Sequence, residues 1–147
     1  MKNSLNMFLL FVLVIFITGC SAKKINYLYI GENDRWKAEY KVNATETFSK
    51  RDSTLHYENN VNNVLTVTLK KELSEMPKVK HMEISYETSV SSGKMSEDYD
   101  DISQLEKRYV LRSGNSNGAI VRNDEAIKVT INLDGNIEVI ELSNNKK

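Results

Sequence analysis

The chain has 147 residues, with 20 Lys and Arg against 20 Asp and Glu, so its formal net charge is zero. Basic and acidic residues are interleaved along most of it, which argues against nucleic-acid binding, because nucleic-acid-binding proteins carry a clustered basic surface. It has a single cysteine, Cys20, so no intramolecular disulfide can form and the fold must be held by its core.

The first 20 residues have the plan of a secretory signal. Lys2 gives a positive start, an unbroken apolar run extends from Met7 to Ile17, and small residues then precede Cys20. In a helix this run would reach roughly 16 Å, about half of the hydrocarbon thickness of a bilayer. A permanent transmembrane helix is therefore the weaker interpretation.

The residues Ile17-Thr18-Gly19-Cys20 resemble the lipobox of bacterial lipoproteins, in which an aliphatic residue and two small residues precede the cysteine. The resemblance implies that residues 1–19 are removed as a lipoprotein signal peptide and that the sulfur of Cys20 carries a diacylglyceryl group. Two or three acyl chains on one terminus anchor a protein stably. We therefore expect lipidation at Cys20 and a lipid anchor on the extracytoplasmic face of the cell membrane.

Removing residues 1–19 from the 147 leaves 128, which is the size of one domain. We predict a lipidated cysteine with a short tether at residues 20–24 and a single domain at residues 25–147. The four residues Ser21–Lys24 span at most about 14 Å. The folded part should therefore lie close to the membrane.

Most of the remaining chain alternates apolar and polar residues with a period of two, which is typical of half-buried strands. The clearest runs are Arg35–Ala44, Leu65–Lys70 and Met82–Val90. Shorter strands are predicted at Ile25–Ile30, at Thr54–Tyr57 and around Lys107–Leu111. Turn-rich clusters are predicted between the strands at Gly31–Asp34, Glu58–Asn63, Ser91–Lys94 and Ser113–Gly118.

The pair Asp134-Gly135 lies between the alternating runs Ala126–Leu133 and Asn136–Leu142. Such a pair is among the strongest short-range signals of a β-hairpin. We expect the core-facing side chains of this hairpin to be Ile127, Val129, Ile131 and Leu133 on the first strand and Ile137 and Val139 on the second.

These patterns predict an all-β fold, an antiparallel β-sandwich of about seven to eight strands, immunoglobulin-like and ending in the hairpin at Asp134-Gly135. Trp36 is expected near the centre of the core, because large aromatic side chains dominate core energetics. The segment Met95–Leu105 fits either a short helix or a long connecting loop.

Three stretches of the mature chain resemble a group of small, functionally uncharacterised lipoproteins of Bacillus-type Firmicutes. They are Gly31–Tyr40, the loop Gly114–Gly118, and Ile127–Ile131 with the following Asp134-Gly135. The resemblance covers most of the mature chain, but its motifs are those of strands and turns. It implies no established activity that could be carried over to residues of this chain.

No catalytic, cofactor or metal site is predicted. The only cysteine is taken up by lipid, and no phosphate-binding Gly-x-x-x-x-Gly-Lys-Ser/Thr loop occurs. His81, Glu83 and Glu87 would share one strand face and could contribute to a zinc site with His56 from another strand. The absence of a metal-ligand spacing motif favours a solvated strand face instead.

The acidic segment Glu97–Asp101 is the best candidate for a cation site, since hard oxygen ligands suit calcium. Its spacing is not that of an EF-hand loop, and a solvated loop or helix start is the favoured interpretation. Three tyrosines remain candidates for a contact surface: Tyr27, Tyr29 and Tyr99.

These features together predict a non-enzymatic binding or structural module of the cell envelope. The partners expected are the membrane, through the lipid anchor, and an envelope protein or glycan. An accessory or sensory lipoprotein that binds a small ligand or an ion is the alternative. An envelope enzyme that uses carboxylates alone is a third class. It would require the acidic cluster at residues 97–101 to meet Glu72 or Glu75 in a cleft.

Overall fold

A computed structural model describes residues 21–51, 54–100 and 105–144. Most of these residues lie in antiparallel strands, and one 3-10 turn occupies Leu73–Glu75. The strands are β1 (Ser21–Glu32), β2 (Trp36–Arg51), β3 (Thr54–Leu69), β4 (His81–Glu87), β5 (Ser92–Asp98), β6 (Arg108–Ser116), β7 (Ile127–Leu133) and β8 (Asn136–Leu142). The described ranges contain no α-helix.

The eight strands form two four-stranded sheets, with the orders β1-β2-β3-β6 and β5-β4-β7-β8. The predicted antiparallel sandwich of about seven to eight strands is confirmed. In constant-type immunoglobulin domains the second strand pairs with the first and the fifth, whereas here β2 pairs with β1 and β3. The edge strands β1 and β8 meet through a bridge between Ile30 and Ser143.

The core lies between the sheets, as the period-two alternation predicts. On β2 the alternate residues from Trp36 to Ala44 are all buried, and Trp36 is the largest fully buried side chain. Leu65 and Val67 on β3 and Met82 and Ile84 on β4 are also fully buried. The predicted strand faces and the position of Trp36 are confirmed.

The predicted turn at Glu58–Asn63 is wrong, because β3 is continuous from Thr54 to Leu69 and pairs with β2 along its whole length. Asn59, within this segment, hydrogen-bonds to residues that follow β6. Asn59 donates to the carbonyl of Gly118 at 2.8 Å, and its own backbone N–H donates to Asn117. The predicted turn at Ser113–Gly118 is wrong for its first four residues, since β6 continues to Ser116.

The strand predicted to run to Val90 ends at Glu87, where the Thr88 hydroxyl accepts hydrogen bonds from the backbone N–H groups of Val90 and Ser91. The predicted turn at Ser91–Lys94 is also wrong, because β5 starts at Ser92 and pairs with β4. Met95–Asp98 therefore belong to a strand, not to a helix or a loop. Leu105 is buried, and residues 101–104 lie outside the described part of the chain.

The hairpin at Asp134-Gly135 is confirmed. Both turn residues have positive φ, 50° and 90°, which a two-residue type I′ turn requires. The expectation for Ile137 and Val139 is wrong: they are 64% and 49% exposed. A two-residue turn pairs Leu133 with Asn136, so the inward odd-numbered residues of β7 share their face with even-numbered residues of β8. Ile140 and Leu142 are the buried residues of β8.

The segment Ser21–Lys24, predicted as a tether, forms the start of β1 and pairs with Thr45–Phe48 of β2. Lys23 makes an ion pair with Glu46, with its Nζ 3.2 Å from Oε2. The strand ladder therefore begins at the residue that follows Cys20.

The first sheet is longer than the second. Beyond the buried residues Ile25, Ala44 and Val61, the strands β1, β2 and β3 continue as a three-stranded extension, which we call the arm: residues 21–24, 45–51 and 54–60. From Val61 to Thr54 the arm is about 23 Å long at 3.3 Å per residue. Its core-facing side includes exposed Phe48, so the second sheet does not cover it.

Buried tyrosines make the stability of the fold sensitive to alkaline pH. Burial raises the pKa of Tyr29 to about 12, and it also raises the pKa values of Tyr40, Tyr99 and Tyr109. In the unfolded chain these values return to about 10. As pH rises above 10, the unfolded state therefore loses protons that the folded state keeps, and the folded state becomes less stable.

We expect the free energy of unfolding to fall between pH 10 and 12 by up to about 1.4 kcal/mol per pH unit for each such tyrosine. Denaturant unfolding at a series of pH values measures this slope, and the absorbance of tyrosinate reports ionisation. Tyr29→Phe removes one titrating group and should reduce the slope. A free energy of unfolding that stays constant across this pH range would contradict the prediction.

Candidate functional site

A concave region lies where β5 and β6, edge strands of the two sheets, come together on one side of the sandwich. Each of these strands pairs with one other strand, β5 with β4 and β6 with β3. Two adjoining depressions, of about 300 Å³ between the strands and about 430 Å³ on the outer face of β4 and β5, share Tyr86, Ser92, Gly93 and Lys94. We call this region the seam groove.

Tyr86 and Gly93 form the floor of the seam groove. They lie opposite each other in the β4–β5 ladder, and the Tyr86 ring occupies the space that a side chain at position 93 would need. Because Gly93 has no side chain, Tyr86 reaches β6, where its hydroxyl is 2.8 Å from that of Ser113. This hydrogen bond links the two sheets across the seam.

The floor is polar but carries no charge. The hydroxyls of Ser91, Tyr86 and Ser113 lie near that of Tyr40, which is fully buried and has no hydrogen-bond partner of normal geometry in the described residues. The Tyr40 and Tyr86 rings are 5.1 Å apart. Burial raises the pKa of Tyr40, which keeps it neutral and able to donate a hydrogen bond.

The rim of the seam groove is mainly basic. Lys94, Lys128 and Arg112 line the two depressions, against one acidic side chain, Glu87. Lys94 Nζ also lies 2.9 Å from Glu83 Oε2. Met95, Val110 and Leu111 line the apolar part of the wall, and Val110 is 39% exposed.

This arrangement suits an extended polypeptide. The free side of an edge strand offers unpaired backbone N–H and C=O groups, and an added strand can pair with them. In the seam groove, hydroxyl groups and an apolar wall lie beside these strand edges, and basic side chains would attract carboxylates of the added segment.

The residues considered for a zinc site are not brought together. His81 Nδ1 is 2.7 Å from Asp98 Oδ1, Glu83 pairs with Lys94, and His56 lies on the arm, in the other sheet. Across residues 21–51, 54–100 and 105–144, no three His, Cys, Asp or Glu side chains are placed to hold a metal ion.

The acidic segment is divided by the strand that carries it. Glu97 and Asp98 are consecutive residues of β5 and point to opposite faces. Glu97 accepts a hydrogen bond from the Tyr99 hydroxyl at 2.6 Å, while Asp98 pairs with His81. Asp100 is exposed, and Asp101 lies outside the described residues.

The candidate tyrosines do not form a contact surface. Tyr29 and Tyr99 are buried and Tyr27 is half-buried. The most exposed tyrosine of the described chain is Tyr57 on the arm, at 46%. In the sequence, Tyr57 falls in the same alternating pattern as the core residues of β3, so the pattern did not predict that it is exposed.

A Gly-x-Ser-x-Gly pattern, which the prediction of a non-enzyme overlooked, does occur at Gly114-Asn115-Ser116-Asn117-Gly118. In hydrolases this pattern forms a sharp strand-to-helix turn that exposes a nucleophilic serine. Here Ser116 is the last residue of an edge strand, and its hydroxyl accepts a hydrogen bond from Asn60 at 3.4 Å. In the described chain no histidine or carboxylate is hydrogen-bonded to it.

Cys20 lies outside the described residues, and β1 begins at the next position. None of the described segments forms a helix of the length and hydropathy needed to cross a membrane.

No protein-family model, curated protein or solved structure matches this chain.

We expect Gly93→Ala to destabilise the fold by about 1–3 kcal/mol, the usual cost of inserting a methyl group into a well-packed site. The added carbon would displace the Tyr86 ring and break its hydrogen bond to Ser113. Urea unfolding measures the change. Ser92→Ala, at an exposed neighbouring position, is the control and should change stability by less than about 0.5 kcal/mol. Equal effects of the two substitutions would contradict the role given to Gly93.

Proposed function

We propose that the protein is a lipoprotein anchored at the extracytoplasmic face of the cell membrane, where it acts as a non-enzymatic binding module of the envelope. The anchor is supported by the lipobox Ile17-Thr18-Gly19-Cys20 and the apolar run before it. The binding role is supported by one observation above all: two edge strands flank a groove with a neutral hydroxyl floor and a basic rim.

The partner that fits this groove is an extended segment of an envelope protein that carries acidic side chains. Its backbone would pair with the free edge of β5 or β6, which gives affinity without depending on sequence. Its carboxylates would meet Lys94, Arg112 and Lys128, and apolar side chains would cover Val110. Such a segment would lie along the strands.

The alternative is an accessory or sensory lipoprotein that captures a small ligand. The depression of about 430 Å³ favours it, because small-molecule sites usually measure about 300–1,000 Å³. Such sites, however, bury most of the ligand surface and are mainly apolar. The lining here is polar and the groove lies open along the seam, so the extended polypeptide fits better.

The anchor is tested with Cys20→Ala in the full-length chain. We expect this variant to keep residues 1–19 and to carry no acyl chain, because no thiol is left to receive the diacylglyceryl group. Mass spectrometry of the N-terminal peptide measures both properties, and cell fractionation reports membrane association. Ser21→Ala is the matched control and should be acylated normally. A Cys20→Ala protein that is cut after Gly19 and stays membrane-bound would disprove the anchor.

The binding role is tested by crosslinking in intact cells, with a photo-crosslinking side chain placed at Val110 in the seam groove or at Val139 on β8. Both positions are well exposed, at 39% and 49%. We expect one stoichiometric envelope protein to be captured from position 110 and not from position 139. Arg112→Glu should reduce the yield at position 110, because it places an acidic group at the basic rim.

Equal capture from both positions would count against the seam groove. Recovery of the protein alone with a bound small molecule would support the alternative function.

A further inference from the structure

The arm carries an apolar face that nothing in the described chain covers. Phe48 and Tyr57 are directly opposite each other in the β2–β3 ladder, with ring centroids 5.1 Å apart. Leu55 follows on the same face, opposite Lys50. Phe48, Tyr57 and Leu55 are 36%, 46% and 68% exposed. Contiguous exposed apolar residues of this kind mark interaction surfaces, unlike single ones scattered over a protein.

The position of this face along the chain indicates what occupies it. Ser21 is the β1 partner of Phe48, and Cys20 is the residue before it. Consecutive α-carbons are 3.8 Å apart, so a lipid on Cys20 would be held beside the Phe48–Tyr57 pair. The hairpin continues for three further residue pairs, ending with Arg51 and Thr54, which is about 10 Å along the strand direction.

We propose that the face formed by Phe48, Lys50, Leu55 and Tyr57 docks onto the surface of an anionic lipid bilayer, as a second membrane contact beside the lipidated cysteine. This inference rests on the lipid anchor of the proposed function. Acyl chains buried in the bilayer hold Ser21 at the headgroup layer, which is about 5–8 Å thick on each side. An arm whose tip extends about 10 Å past Ser21 must enter that layer or lie on it.

The charges of the arm favour the same occupant. Lys50 lies on the apolar face and is exposed, so it carries a positive charge on the side suited to lipid. The one acidic group of this face, Glu46, is paired with Lys23 and accepts a hydrogen bond from the Tyr57 hydroxyl at 2.9 Å. On β2 and β3 the residues of the opposite face are polar: Thr45, Thr47, Ser49, His56 and Glu58. The arm is therefore amphipathic, with one side suited to lipid.

The test uses the full-length lipoprotein with Leu55→Cys, produced in bacteria so that its signal is processed. Acylation blocks Cys20, so the introduced thiol alone takes an environment-sensitive fluorophore. The protein is reconstituted into phosphatidylcholine vesicles with or without phosphatidylglycerol, and spin-labelled lipid serves as quencher. Ile137→Cys is the matched control, because Ile137 is as exposed as Leu55, at 64% against 68%, and lies on the other sheet.

We expect the label at position 55 to shift its emission to shorter wavelength and to be quenched by the spin-labelled lipid, more strongly with phosphatidylglycerol, while the label at position 137 is unaffected. Lys50→Ala should lower the membrane-bound to unbound ratio of the arm about fivefold, the effect of one basic residue near an anionic surface. Mass spectrometry of the N-terminal peptide reports acylation separately.

An acylated protein that sediments with the vesicles but shows equal quenching at positions 55 and 137 would overturn the arm contact and leave the anchor standing. A protein without acyl chains on Cys20 would overturn the anchor itself and the contact inferred from it. Energy transfer between labelled copies that rises with protein concentration, without quenching by lipid, would overturn the bilayer as occupant in favour of a second copy.

Discussion

The uninterrupted pairing of β2 with β3 is the constraint on which the rest of the structure depends. The ladder runs from the Trp36–Leu69 pair to the Arg51–Thr54 pair without a bulge, so even-numbered residues of β2 and odd-numbered residues of β3 keep one face throughout. Where the second sheet lies against this face, it forms the core. Where the second sheet ends, the same alternation continues and places aromatic side chains in solvent. The core and the arm are thus two halves of one ladder.

The two sides of the sandwich are closed differently. On one side the bridge between Ile30 and Ser143 joins the backbones of the two sheets. On the other side the sheets are linked by side-chain hydrogen bonds, Tyr86 with Ser113 and Tyr99 with Tyr109. Within the described residues, the facing edges of β5 and β6 have no strand partner. The backbone bridge joins the two sheets directly. The side-chain link through Tyr86, which lies over Gly93, leaves space between the edges of β5 and β6. The seam groove follows from this difference.

The sequence predicted what depends on local pattern: the strands with one apolar face, the buried Trp36 and the turn at Asp134-Gly135. It did not predict the features that depend on which strands pair with each other. The asparagines near position 60 have turn propensity, but their ladder partners hold them in a strand, and Gly93 lies in a strand because Tyr86 needs its space. The seam groove joins β4, β5 and β6, whose proximity no local pattern shows. Phe48 and Tyr57 follow the alternation of core residues, so only the extent of the second sheet reveals their exposure.

The arm and the seam groove lie on different parts of the molecule, and this separation bears on how the protein would work. β6 meets the base of the arm, where Ser116 pairs with Asn60, and Val110 lies six residues away, about 20 Å farther from the arm. With the arm at the membrane, the groove would run along the side of the sandwich, away from the bilayer. A partner segment in the groove and the lipid at the arm would then not compete. Two membrane contacts on one rigid sheet would also fix the tilt of the sandwich, which a single flexible lipid tether could not do.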